Sequence, residues 1–405
     1  MPRIDQLVDS IAGHPCMTFL NTFQGYHHIP LAIDDQEKID FVTPLGNYHY
    51  KVMPFGLKNA GSTYQRMMTR MFELQLGKSI EVYIDDMIVK SKVVSEHVRD
   101  LGDIFEILRI HKLCLNTSKC SFGVGSGKFL GYMITHRGIK VSPNQIKAVN
   151  SLQPPRNPKE VQKLTGMIIA LNRFISWSIG RCRPFFLWMN KWKGFEWIEE
   201  YALAFHQLKE YPTWPQIMSS PEVDEVLFSY IVVAPHVVSL VLIQVDSSVQ
   251  RPVYYVSKSL HEVEIRYLPL EKAILTVVQV TWMIPHYFQA HTIVILTQLS
   301  LKSILRSADY TRIIAKWGTI LGSFDIRYMP RTSVKGQTLA NLVVEFAELS
   351  LKEQRRETWM ENQLAQSLCK YLHLGKYTLM RQPTKGALEW GLSWFPLKAL
   401  PSKRS

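Results

Sequence analysis

The tetrapeptide Tyr83-Ile84-Asp85-Asp86 sets two adjacent carboxylates among apolar neighbours, Val82, Ile84, Met87, Ile88 and Val89. Strand-forming residues on both sides predict a strand-turn-strand over Ile80 to Lys90, with the acids at a tight turn and the strands buried. Paired acids in such a turn suit a divalent cation, since Mg²⁺ prefers carboxylate oxygens plus substrate phosphates. Two ions roughly 3.5–4 Å apart can stabilise the attacking and leaving oxygens of a phosphoryl transfer. Alone, the tetrapeptide is as readily an ordinary Asp-Asp turn.

Other arrangements offer less. The five cysteines (Cys16, Cys114, Cys120, Cys182, Cys369) form no C-x-x-C pair, which supports neither a zinc site nor a disulfide framework and fits a reducing compartment. Gly123-Val-Gly-Ser-Gly127 is too short for a phosphate loop and reads as a hairpin turn. His27-His28 and the single histidines read as turn or surface residues. Lys+Arg number 47 against 34 Asp+Glu, a net +13 that favours a polyanionic partner, nucleic acid before acidic membrane. Hydrophobic residues at 46% and charged residues at 20% describe a globular chain long enough for two or three cores.

Val226 to Val245 carries no charged side chain and is about long enough to span a bilayer. Pro235-His236 breaks it, and the β-branched runs on either side predict paired strands in a buried sheet. Met1-Pro-Arg-Ile-Asp5 has no apolar core to follow a basic lead, so no secretory signal is expected. Together these predict an intracellular protein with no membrane partner.

The elements that must position the acids follow from patterning. Phe19 to Ile29 reads as a strand broken at Gly25, and Asn59 to Leu76 as a helix. Val98, Leu101, Ile104, Phe105 and Leu108 recur at helical spacing over 95–111, and Phe129 to Val141 reads as a hairpin with Arg137-Gly138 near its turn. Ser142-Pro143 and Asn157-Pro158-Lys159-Glu160 predict helix starts. The boundaries expected are 1–141, a helical region 142–210, a linker 211–223 rich in proline, an α/β region 224–347, and a tail 348–405 without periodicity.

Several motifs fall in order. Phe19-Leu-Asn-Thr-Phe-Gln-Gly-Tyr-His-His-Ile29, Val52-Met-Pro-Phe-Gly-Leu-Lys-Asn-Ala60, Tyr83-Ile-Asp-Asp86, Leu115-Asn116 with Lys119-Cys120-Ser-Phe122, Phe129-Leu-Gly-Tyr132 and Val161-Gln-Lys-Leu-Thr-Gly166 follow at reverse-transcriptase spacing. The chain resembles the reverse transcriptase and RNase H-like region of a plant-type, gypsy-type LTR retrotransposon Pol polyprotein, from near its start to about residue 347. The resemblance implies an α+β palm (1–141) and a thumb-like region, then an α/β RNase H-like domain (224–347). It implies Asp85 and Asp86 as metal ligands for Mg²⁺ or Mn²⁺, and Tyr26 beneath the incoming sugar. Phe55 and Gly56 would line the nucleotide and template pocket, and Phe129, Leu130, Gly131 and Tyr132 would grip the primer. The implied partners are an RNA/DNA template-primer and other parts of the Pol polyprotein. Read from residue type alone, Tyr26 and Phe55 are also plain core aromatics, Gly56 a turn glycine and Phe129 a strand residue.

The departures from the family matter equally. Asn21 stands where the family has a third metal-bridging aspartate, and a neutral amide ligates Mg²⁺ poorly. The first motif lies close to Met1, so a fingers segment is expected to be missing. In the second region Glu271 is kept, while Val232, Gln298 and Asn341 occupy the positions of the other acids. One acid cannot assemble a two-metal site. Three outcomes are compatible with this pattern: a crippled polymerase, a non-catalytic module presenting Lys159, Lys163 and Arg173 to a duplex, or a relic that does not fold stably.

Overall fold

In the computed structural model, which describes residues 1–190, 199–210, 217–222, 224–246, 249–306 and 312–330, helix α1 (Ile4–Ile11) leads into strand β1 (Cys16–Asn21). A 3-10 turn (Gly25–His28), a one-turn helix α2 (Ile33–Gln36) and an exposed hairpin of β2 (Asp40–Thr43) and β3 (Gly46–His49) come next. Helix α3 (Ala60–Met71), strands β4 (Ile80–Tyr83) and β5 (Asp86–Ser91), helix α4 (His97–Ile110) and strand β6 (Ser121–Val124) complete the first layer pair. The sheet runs in the order β4-β5-β1-β6. β1 is buried from Cys16 to Leu20, as a central strand covered on both faces must be. Tyr64, Met68 and Phe72 after α3, with Ile104 and Leu108 of α4, cover Leu20, Ile80, Val82, Met87 and Val89. Full burial of side chains of this kind is worth about 1.5–3 kcal/mol each.

Several expectations need correcting here. The strand expected over Phe19 to Ile29 starts earlier, at Cys16, and gives way to a 3-10 turn at Gly25. On α4 the buried positions are His97, Ile104 and Leu108, while Val98 is exposed, because His97 bonds inward to Thr18 Oγ1 (2.7 Å) and Ser91 Oγ (2.8 Å). The hairpin expected over Phe129 to Val141 is two hairpins: β7 (Ser126–Phe129), β8 (Tyr132–Thr135) and β9 (Gly138–Val141) form a separate three-stranded sheet. Gly123 to Gly127 is therefore no hairpin turn; it carries the chain from β6 in one sheet to β7 in the other.

Helices α5 (Pro143–Asn150), α6 (Pro158–Ala170), α7 (Ser178–Asn190) and α8 (Glu199–Glu210) follow. Asn157 caps α6 by accepting from the Glu160 N–H at 2.9 Å, and the Glu160 carboxylate accepts in return from the Arg156 N–H at 2.7 Å. Of the segment expected as a linker, residues 211–216 and 223 lie outside the described residues. Its described part is pinned: Met218 is fully buried and exchanges backbone hydrogen bonds with Ile139 at 2.9 Å in both directions. Gly138 (φ +127°) admits that approach, since a Cβ there would strike the Met218 carbonyl.

The last described region is a five-stranded sheet, β10 (Leu227–Val233), β11 (Val237–Asp246), β12 (Val249–Ser259), β13 (Ile293–Thr297) and β14 (Ile326–Pro330), in the order β12-β11-β10-β13-β14. β10 pairs antiparallel with β11 and parallel with β13, so the apolar run from Val226 to Val245 is two paired strands as expected. Helices α9 (Glu262–Ile265), α10 (Pro269–Met283), α11 (Pro285–Ala290), α12 (Leu301–Arg306) and α13 (Arg312–Leu321) accompany it. α10 lays Ala273, Ile274, Val277 and Val278 on the sheet. No helix among the described residues is long and apolar enough to cross a membrane.

Arg173 overturns one expectation outright. It lies in a 3-10 turn (Asn172–Phe174) with 1% of its side chain exposed, so it presents no charge to a duplex. Its guanidinium bonds Asp9 of α1, stands 3.5 Å from Asp5, and lies 5.0 Å over the Tyr254 ring, while Tyr287 of α11 donates to Asp9. Burial opposes the Arg173 charge, but Asp9, Tyr287 and Asp5 outweigh it and hold the guanidinium protonated. A buried ion stays only where such partners neutralise it.

Candidate active site

Asn21 ends β1 directly opposite Asp86, the first residue of β5. Tyr83 and Asp86 close the β4–β5 hairpin, which leaves Ile84 and Asp85 as a two-residue loop. Ile84 has φ +54°, a left-handed conformation rare for a β-branched residue that costs of order 1–3 kcal/mol. Gln65 of α3 secures the loop from behind: its Nε2 donates to the Val82 carbonyl (3.0 Å) and its Oε1 accepts the Ile84 N–H (2.6 Å). The strained turn thrusts Asp85 and Asp86 out side by side, each half-buried.

Asn21 and Thr22 bond one carboxylate each. Asn21 Nδ2 donates to Asp86 Oδ1 at 2.9 Å, the only orientation that suits an acceptor-only carboxylate. Thr22 Oγ1 donates to Asp85 Oδ1 at 3.1 Å, and Tyr64 Oη donates to Thr22 Oγ1 at 3.0 Å. The pKa of Asp85 is raised: burial is the largest cause, and the Asp86 charge adds to it against the Thr22 hydrogen bond and the Lys119 charge. Burial chiefly pushes the Tyr64 phenol up to about 12, so it remains a donor. Gly25 leaves room for this chain, since a Cβ there would collide with Tyr64 Oη and Thr22 Oγ1.

Tyr26 stands next to this group. Its ring centroid is 5.1 Å from that of Tyr64 and 5.0 Å from that of Phe55, which meets it edge-on. Its pKa is raised by burial and then by the Asp85 charge. Phe55 is exposed, and Gly56 (φ +98°) turns the chain beside it with open space where a Cβ would stand. Tyr26, Phe55 and the acids are thus brought together. Phe129, Leu130, Gly131 and Tyr132 are the β7–β8 turn, with positive φ at both Leu130 (+48°) and Gly131 (+90°), and belong to the other sheet. Tyr132 packs on Phe174, at 5.8 Å between centroids.

In the last sheet, Val232 lies on β10 opposite Ser239, and Gln298 directly follows β13. Glu271 sits in the first turn of α10 and accepts the Leu268 N–H at 3.0 Å, so its carboxylate caps its own helix. Asn341 lies outside the described residues. No group of three or more His, Cys, Asp or Glu among the described residues could hold a metal ion. At the hairpin the donor set is two carboxylates, with an amide N–H directed into one of them. That set does not fit a pair of divalent ions, which needs bridging anions.

Thr22, Tyr64 and Gln65 were not foreseen as site residues. Thr22 has only its adjacency to Asn21 to mark it. Tyr64 and Gln65 fall on the inward side of α3, where spacing suggests core, and only their polar atoms hint at the contacts they make.

Residues 1–134 match the family described as "Reverse transcriptase (RNA-dependent DNA polymerase)", and residues 197–295 match "RNase H-like domain found in reverse transcriptase". Both families use divalent metals. The chain is 29% identical over 288 residues to the retrovirus-related Pol polyprotein from transposon 297 of Drosophila melanogaster, covering 71% of this chain and 27% of that protein. It is 27% identical over 372 residues to the Pol polyprotein from transposon opus of the same fly, covering 86% and 36%. The Tf2-3 polyprotein of Schizosaccharomyces pombe is 26% identical over 338 residues, with 82% and 25% covered. The chain thus spans between a quarter and about a third of the length of these curated relatives. Among solved structures, the foamy viral protease-reverse transcriptase in complex with RNA/DNA hybrid superposes with a TM-score of 0.72 at 17% identity, over 82% of this chain and 46% of that one. The same viral protein with dsDNA gives 0.71 at 17% identity, over 83% and 71%.

Proposed function

We propose that this chain, which carries the reverse-transcriptase and RNase H-like domains of a retrotransposon Pol polyprotein, binds a template-primer duplex but polymerises poorly or not at all. The observation that carries the reading is the 2.9 Å hydrogen bond from Asn21 Nδ2 to Asp86. The position that should supply a bridging anion supplies a donor, and it occupies the oxygen a cation would need. Asp85 and Asp86 alone would hold a Mg²⁺ or Mn²⁺ ion weakly. Tyr26, against Phe55 and Tyr64, would lie under the sugar of an incoming nucleotide, with Phe55 and Gly56 lining the pocket. Residues 129–132 would hold the primer end.

Binding rests on other residues. Lys159 and Lys163 are exposed on α6 and can meet phosphates, a sequence-independent, salt-sensitive attraction. Residues 1–141 would be the palm, 142–210 the thumb and 224–347 the RNase H-like domain, whose Val232, Gln298 and capping Glu271 leave hydrolysis without its acids. The ordered motifs between Phe19 and Gly166 favour a plant-type, gypsy-type lineage, with other segments of the Pol polyprotein as partners.

Primer extension on an RNA template with Mg²⁺, comparing the chain with Asn21→Asp, tests the reading. Salt-sensitive binding by both and extension only by the variant is the expected result. Efficient extension by the parent, abolished by Asp85→Asn, would overturn it.

A further inference from the structure

Helix α3 directs Tyr64, Gln65 and Met68 at the sheet and the hairpin, and uses another flank for an open cavity of about 580 Å³. Arg66 and Arg70 line it, on successive turns of the helix, with Met67 and Met71 beside them and His28 and His111 bounding it from neighbouring segments. Neither arginine has an ion-pair or hydrogen-bond partner among the described residues, although exposed arginines elsewhere in the fold, such as Arg109 with Glu106, are paired. No carboxylate lines the cavity.

We propose that this cavity is a nucleotide site, distinct from the hairpin, in which Arg66 and Arg70 grip the phosphate and the methionines carry the base. Residues four apart on a helix have Cβ atoms about 6 Å apart, so two guanidinium forks can reach one phosphate and bond its oxygens in a planar, paired fashion. The thioethers of Met67 and Met71 are polarisable and adaptable, and contact aromatic faces favourably. Imidazole N–H groups of His28 and His111 can serve further phosphate or base-edge acceptors. An inorganic anion would use the arginines alone and leave the apolar wall unused. A base joined to a phosphate uses both. The nucleotide could arrive free or as one unit of a single strand, and both present the same chemistry.

The test uses the full chain with three probes: 2-azidoadenosine 5′-monophosphate, a short single-stranded oligodeoxyadenylate bearing the same photoreactive base, and inorganic phosphate as competitor. Photolabel is expected on peptides carrying Met67 or Met71. In the Arg66→Gln/Arg70→Gln double variant, affinity should fall by about tenfold or more, since each lost bond joins two charged groups. Arg66→Lys/Arg70→Lys, which keeps the charge without the fork, should recover part of it. Both variants alter exposed side chains and should melt as the parent does. Binding of the monophosphate identifies a free nucleotide, and binding of the oligonucleotide alone identifies a strand. Label confined to other peptides, or unchanged affinity in the double variant, would overturn the proposal, as would competition by inorganic phosphate as strong as by unlabelled adenosine monophosphate.

Discussion

Replacing Asn21 by aspartate exchanges the donor 2.9 Å from Asp86 Oδ1 for a second carboxylate in the same place. The lost hydrogen bond, made to a charged acceptor, is worth about 1.5–3 kcal/mol. Two like charges at about 4 Å repel by roughly 4 kcal/mol at an effective dielectric near 20. Both residues are half-buried, so solvent screening removes much of that second quantity. A net loss of about 3 kcal/mol without metal is expected, which for a chain of this size lowers the melting temperature by roughly 3–4 °C. Mg²⁺ should then reverse the loss, because an ion that binds only the folded state stabilises it by mass action. The parent, already satisfied by the amide, should respond little. Thermal melts of parent and variant across a MgCl₂ titration supply the assay. If the variant melts with the parent in the absence of Mg²⁺, the Asn21 amide is not what quiets Asp86. If Mg²⁺ raises the parent as steeply as the variant, the parent's two acids suffice for tight binding. Either result refutes the argument.

Three further outcomes are expected. Arg173→Met should cost about 3–5 kcal/mol by chemical denaturation, since it leaves the largely buried Asp9 carboxylate without its counter-ion, and adding Asp9→Leu should recover part of that loss. Asp85→Asn should raise the denaturation midpoint at neutral pH: the folded pKa is raised, so ionisation costs stability as pH rises above the usual carboxylate value, and the advantage should vanish near pH 3.8. Unfolding curves at acid and neutral pH measure it. Gln65→Leu leaves the Ile84 N–H and Val82 carbonyl without side-chain partners, costing about 1–3 kcal/mol, and amide hydrogen exchange at Ile84 should accelerate.

Much of this was legible because local signals and global fold agree. The paired acids are a hairpin turn because flanking Val82 and Met87 demand strands, and Pro235-His236 breaks an apolar run into two strands. Asn157 and Glu160 cap α6 as their spacing predicts. What failed were features decided by distant partners. Arg173 reads as a surface cation, and Asp5 and Asp9 from the first helix, with Tyr254 and Tyr287 from the last region, make it a core residue. The break between β6 and β7 was hidden in a glycine-rich segment whose spacing resembles a simple turn.

The Arg173 cluster also bears on how the molecule comes apart. Asp5 and Asp9 come from the first helix, Arg173 follows α6, and Tyr254 and Tyr287 belong to the last sheet and its helices. Peeling away the last region would expose a matched set of charges whose shielding it provides, so neither part can open cheaply while the other stays closed. Regions that read as separate modules should therefore unfold in one cooperative transition, and a cut made between them would produce two fragments each less stable than the joined chain.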